Sequence, residues 1–200
     1  TVTIWSIDAG ERELTLRTQQ GGAVPKAFSP DGKLLAIAGE GGSLSIWDLQ
    51  TQEPVHTLAY TETIGGVAFS DDGRLLAAAT YAYGGSEVNA FRVSNVADIY
   101  DTGSWQRLAR LSNQGLVSAL EFSADNRYLR ADVHLSEESG MAPGHLWLWQ
   151  AQDLITAACA RLTRNMTADE WAEFMPSQPY RETCPNLPVA VTVDGSHGRM

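Results

Sequence analysis

Two cysteines, Cys159 and Cys184, are all that this 200-residue chain contains. That number excludes a disulfide scaffold and makes a reducing, cytoplasmic setting the default expectation. Long apolar runs are missing too: no stretch approaches the roughly twenty residues that a membrane-spanning helix needs. Residues 1–20 carry Asp8, Glu11, Arg12 and Glu13 where a signal peptide would have an apolar centre. Clustered Lys and Arg are absent, and the formal net charge is −10 with a pI near 4.7. A nucleic-acid backbone or an anionic membrane surface is therefore not an expected partner. No Gly-rich loop joins a strand to a helix, so no nucleotide cofactor is expected.

What the chain has is repetition. Phe28-Ser-Pro-Asp-Gly-Lys33, Phe69-Ser-Asp-Asp-Gly-Arg74 and Phe122-Ser-Ala-Asp-Asn-Arg127 are three copies of one phrase. Each is followed by an apolar run and then by an aromatic-centred strand ending near Trp47, Tyr100 or Trp149, and a fourth such strand holds Trp5. Trp5 to Trp47 spans 42 residues and Phe28 to Phe69 spans 41. A period near forty with a turn phrase and an aryl-ended strand predicts an all-β fold of β-propeller blades, in which each unit buries its apolar faces against its neighbours. The runs Leu34–Ala38 and Leu75–Ala79 read as strands buried on both faces. Asp31, Asp72 and Asp125 share one turn position, and such repetition assigns them to turn geometry rather than to acid–base catalysis. Gly32, Gly73 and Asn126 supply the left-handed residue that the turn needs. Trp5, Trp47, Tyr100 and Trp149 are expected to pack between blades. Lys26 stands on an inner strand where the other copies have Val67 and Leu120, and is expected to line a wet central channel.

These phrases resemble the WD40 repeat family over roughly residues 1–150. The Gly-His pair common in that family is absent, so its buried histidine-centred network is not expected here. The expected organisation is a half blade at 1–18 and blades at about 23–59, 64–111 and 117–150. That makes an incomplete propeller of about three and a half blades. The chain starts at Thr1, without an initiator Met and inside a repeat, and is expected to be a piece of something longer. Its partner would then be another protein or the remaining blades of the same propeller.

A short extension is expected at 151–188, with a possible strand and loose tail at 189–200. Asp153 is a candidate cap for a helix running through Leu162, Thr167-Ala-Asp-Glu170 is a capping-box pattern, and Pro176 closes the second helix. The segments Asp153–Cys159, Arg164–Thr167, Glu170-Trp171 and Tyr180–Pro185 look like the tail of bacterial WD40 proteins whose propeller follows a STAND-type NTPase, caspase-like, TIR or kinase effector. The resemblance implies a sensor or scaffold module of a signalling or defence protein, without enzymatic activity of its own. Cys159 and Cys184 can meet if the tail folds back, as a disulfide or as two buried thiols. Nothing in the sequence supplies either with an activating base.

The copies differ in length. Phe28 to Trp47 is 19 residues, but Phe69 to Tyr100 is 31 and Phe122 to Trp149 is 27. Both insertions fall between the second and third strands, hence on one face of adjacent blades. Such insertions often mark a binding face. The candidate partner-binding residues are Tyr81, Tyr83, Glu87, Asn89, Phe91 and Arg92 in the first, and His134, Glu137, Glu138, Met141 and His145 in the second. The competing reading of the first insertion is an ornamental edge strand at 87–93. His134 and His145 flank two glutamates, but their spacing fits no zinc pattern, so no metal is expected. His56 reads as a half-exposed packing residue. The alternative function is a small-molecule-binding or enzymatic propeller, which would need polar groups converging at the channel mouth.

Overall fold

The computed structural model describes residues 1–18, 21–81, 95–113, 116–134 and 144–189. Two compact units are present, Thr1–Trp147 and Leu148–Met200. In the first, β1 (Val2–Trp5) pairs with β2 (Arg12–Leu16). A four-stranded antiparallel sheet follows, in the order β3 (Val24–Phe28), β4 (Leu34–Ala38), β5 (Ser43–Asp48), β6 (Glu53–Ala59). The next has the same order with β7 (Thr63–Phe69), β8 (Leu75–Tyr81), β9 (Asn95–Asp101) and β10 (Arg107–Asn113). A three-stranded sheet comprises β11 (Leu116–Phe122), β12 (Tyr128–His134) and β13 (His145–Leu148). Each sheet is a sequential meander, as propeller blades are, and a closed ring takes about four to eight four-stranded blades. The fold is that of an incomplete propeller.

The second strands explain why blades stack. Along β4, Leu35 and Ile37 pack in a cluster with Val2, Leu16 and Trp47. Their alternate neighbours Ala36 and Ala38 pack in another with Ile46, Leu76, Ala78 and Tyr100. Successive side chains leave a strand on opposite faces, so a continuous apolar run is what a strand between two blades requires. The inner strands β7 and β11 approach each other closely enough to exclude a side chain at two positions. A Cβ on Gly65 would run into the carbonyl oxygen of Val117, and one on Gly66 would sit 3.2 Å from Ala119.

The turn phrase has the same wiring in all three copies. Ser29, Ser70 and Ser123 donate through Oγ to Asp31, Asp72 and Asp125 at 2.6, 2.7 and 2.6 Å. The same aspartate oxygens accept the amides of Lys33, Arg74 and Arg127 at 3.1 Å. Gly32, Gly73 and Asn126 have φ of 69°, 70° and 57°. A short side chain bonding its own backbone is what stabilises such turns.

Two expectations change. Trp5 is 61% exposed, unlike Trp47 and Tyr100, because the β1–β2 pair packs through Val2, Ile4, Leu14 and Leu16, a cluster to which Trp5 does not belong. Asp153 does not cap a helix: α1 (Ala151–Cys159) starts two residues earlier with Gln150 at the N-cap, and ends before Leu162. Asp153 lies in its first turn, where a carboxylate suits the helix dipole.

In the second unit, α2 (Ala168–Phe174) begins on a complete capping box of Thr167 and Glu170, and Pro176 follows its end. Arg164 clamps Glu170 with bonds of 2.7 and 2.8 Å, which holds that carboxyl down to about 2. Trp171 is buried, donates through Nε1 to Gln178 O at 3.0 Å, and meets Tyr180 edge-on. Cys159 and Cys184 are joined by a disulfide, with Cα atoms 5.5 Å apart. Val189 forms a single parallel bridge with Asn165, and residues 190–193 of the anticipated strand lie outside the described residues.

Candidate interaction face

The antiparallel registers define one end of every blade. Val24 pairs with Ala38, Thr63 with Tyr81 and Leu116 with His134. At this end inner strands start, second strands finish, and the chain turns toward the third strand. In the β3–β6 blade that link is only Gly39 to Gly42, including a single 3-10 turn. Gly42, at φ 77°, lies so close to the β6–β7 connection that a Cβ would collide with the carbonyls of Tyr60 and Glu62.

Between this blade and the next, a depression of about 400 Å³ opens at the same end, lined among others by Lys26, Glu40, Thr63 and Tyr81. Lys26 donates through Nζ to the Gly65 carbonyl at 2.8 Å, tying β3 to β7. It is therefore an inter-blade bridge as well as part of the lining of the depression. Partial burial lowers its pKa from the ordinary lysine value, because desolvation penalises the ammonium. Glu40 lies over Gly21 and Gly22, where added Cβ atoms would fall 2.7 and 2.8 Å from its side chain. The site combines a cation, a carboxylate, a hydroxyl and a phenol at the mouth of the inner strands.

Of the candidate binding residues, Tyr81 ends β8 and borders this depression. His134 ends β12, and His145 starts β13, exposed, with its ring 6.1 Å from that of Trp147. Tyr83, Glu87, Asn89, Phe91 and Arg92, with Glu137, Glu138 and Met141, lie outside the described residues. Among the described residues no group of three or more His, Cys, Asp or Glu could hold a metal ion. His56 stacks on Trp105 with centroids 4.6 Å apart, across the same blade pair.

Sequence reasoning missed a buried polar cluster in this blade pair. Asp98, 1% exposed, receives Arg110 Nε and Nη2 at 2.8 Å each, with Arg107 3.7 Å away. Tyr60 donates to the Tyr100 hydroxyl at 2.9 Å, and Tyr100 donates to Asp98 at 3.4 Å. Burial raises the pKa of both phenols. The signal was present: Asp98 to Arg110 is twelve residues, the same separation as Ser45 to Thr57 in the preceding blade.

Residues 18–48 and 52–86 match the WD domain, G-beta repeat, known as WD40. Eukaryotic translation initiation factor 3 subunit I of Phaeosphaeria nodorum is 37% identical over 71 residues, 36% of this chain. The matched part spans 21% of that relative's length. The β-propeller domain of Cps50 (Swd1) from Myceliophteria thermophila superposes on 64% of this chain and 38% of its own, with a TM-score of 0.50 and 17% identity. That likeness concerns the fold. WD40 propellers generally serve as platforms for protein–protein contact. Residues 18–48 and 52–86 are thus similar to WD40 repeats, and the sheets of the first unit have the fold of β-propeller blades.

Proposed function

We propose that this chain is a non-enzymatic protein-interaction module of a larger protein, and that it takes its partner on the face where β8 and β12 end. The observation that carries this reading is the meeting of two features at one end of the blades. A polar depression lies there between adjacent blades, and the two long links of the repeat leave from Tyr81 and His134 at the same end. Rigid sheets that present variable loops are the usual way a repeat scaffold acquires specificity. The narrower role, a sensor or scaffold half of a bacterial signalling or defence protein, rests on the likeness of the 153–185 tail to such proteins; the curated relative above is fungal.

Deleting 82–92 and 135–143, each replaced by a short Gly-Ser link, is the direct test. Partner capture from a lysate of the source organism should fall at least tenfold, while unfolding free energy changes by about 0.5 kcal/mol or less. Undiminished capture by both deletions would move the partner to another surface.

One observation favours a second reading. Lys26, Glu40 and Thr63 line the depression between the two blades, and polar groups of this kind are what a small polar ligand would use. Under that reading Lys26→Met and Glu40→Gln abolish ligand-induced thermal stabilisation, and the loop deletions leave it intact.

A further inference from the structure

The two sulfurs of the second unit are unequally placed. Cys184 is 2% exposed, whereas Cys159, on the last turn of α1, is half-buried. The structure on either side of the bond is unequal as well. No residue of α1 is buried, and its last hydrogen bonds, from Ala160 to Thr156 O and from Leu162 to Ala158 O, are local.

The Cys184 side is held without help from the bond. Asn165, 3% exposed, accepts the Cys184 amide at 2.9 Å and donates to the carbonyls of Cys184 and Leu187 at 2.7 and 2.8 Å. Its own amide donates to Pro188 O at 2.8 Å. Tyr180 adds a bond to Met166 O at 3.0 Å, and the Arg164–Glu170 clamp closes the same loop. A helix of nine residues without a buried face is marginal by itself. A segment with a buried amide clamp and a buried Trp171 is not.

We propose that the Cys159–Cys184 bond is a thiol–disulfide exchange site, open at Cys159 to a dithiol reductant, that frees the C-terminal half of α1 while the 164–188 segment keeps its fold. In the first step a reductant thiolate attacks Cys159 Sγ. The S–S bond breaks, its electron pair stays on Cys184 Sγ, and that sulfur then takes a proton. In the second step the other reductant thiolate attacks the mixed disulfide and releases the Cys159 thiolate, which is protonated. The reductant leaves as its own disulfide; two electrons have passed to the protein. Bonds with a reachable sulfur are the ones that follow the thiol poise of their surroundings. The end of α1 is thereby a redox-dependent ordering element, whereas residues 1–147 contain no cysteine.

The test is amide hydrogen exchange with mass-spectrometric readout on the full chain, oxidised and then in dithiothreitol. The expected result is exchange at least tenfold faster for amides 155–162 on reduction. The amides of Asn165, Trp171 and Cys184 should change less than twofold, and those of Leu35 and Ile99 in the propeller should not change. The double variant Cys159→Ser with Cys184→Ala should match the reduced protein without reductant. Equal loss of protection over 151–188 would make the bond a staple for the whole unit, and unchanged protection of 155–162 would make α1 self-standing. Either result overturns the proposal. With glutathione as a monothiol probe, a mixed disulfide mapping to Cys184 instead of Cys159 would overturn the assigned point of attack.

Discussion

The blade β3–β6 and the blade β7–β10 share a backbone and differ in what they bury at one position. In the first, Ser45 on the third strand meets Thr57 on the fourth, hydroxyl to hydroxyl at 3.3 Å. In the second, the equivalent residues are Asp98 and Arg110, joined by two bonds of 2.8 Å. The neighbouring aromatic differs too: Trp47 has a buried Nε1 without a partner among the described residues, whereas Tyr100 is bonded to both Tyr60 and Asp98. The blade fixes where a buried polar group stands. Its chemistry is free to vary, provided the group is paired. The ionic version adds a consequence that the neutral one lacks, because half of an ionic pair is far costlier to leave behind than half of a hydroxyl pair.

Arg110→Ala is therefore expected to be the most damaging change in the blade pair. It strips Asp98 of its bidentate partner and leaves a buried carboxylate with Arg107 at 3.7 Å. The loss should be about 2 kcal/mol, below the range for a fully buried pair because the Arg110 side chain is itself half exposed. The double variant Asp98→Ser with Arg110→Thr copies the other blade's pair into this one. It should recover more than half of that loss, giving a large favourable coupling in a double-mutant cycle read by urea unfolding. If the double variant is as unstable as Arg110→Ala, the arginine acts by packing its stem and the comparison between blades fails.

Much of this architecture is legible in the chain. The turn phrase aligns the copies because the bonds that shape each turn, from serine to aspartate and from nearby amides to both, run within five positions, so their logic is local and repeats in sequence. The alternation of buried sides along β4 is local in the same way. Trp5 and Lys26 are different, because what they touch belongs to another strand pair. Whether an aryl group is covered depends on what lies against its sheet, and whether a lysine finds a carbonyl depends on Gly65 having no side chain. Asp153 misled for a smaller reason: Gln150, without a side-chain hydrogen bond, is a weak N-cap signal, so the first clear acidic residue attracted the assignment. The Asp98 cluster was half legible. Its spacing repeats, but Ser, Thr, Asp and Arg do not resemble one another as letters.

The hydroxyl groups on the two sides of the comparison predict a milder pair of effects. Tyr60→Phe removes the donor to Tyr100 and leaves that hydroxyl, within a buried cluster, bonded only to Asp98. A cost of about 1 kcal/mol is expected. Ser45→Ala loses one long hydroxyl contact to Thr57, whose side chain is exposed and can turn to water, and should cost about half as much. Thermal unfolding of the two single variants ranks them. Equal losses would mean that the ionic cluster gains nothing from its second phenol.

The turn phrase, common to both blades, supplies the smallest effect and the one that should not distinguish them. The carboxyls of Asp31 and Asp72 are held below the ordinary aspartate range, first by the serine hydroxyl and then by the amide two residues on. A carboxyl whose folded pKa is depressed contributes stability that is fully present above its unfolded value, about 3.9. That contribution is lost as pH falls through the folded value. The urea midpoint should therefore decline below about pH 4, and Asp31→Asn or Asp72→Asn should each flatten the decline slightly, since an amide oxygen accepts the same bonds without titrating. Asp72 has one further donor, Asn126 Nδ2 at 3.1 Å from the third blade's turn. Its variant should flatten the profile by the larger amount. If Asp31→Asn has the stronger effect, the contact between neighbouring turns contributes nothing, and the two phrases are equivalent in energy as well as in form.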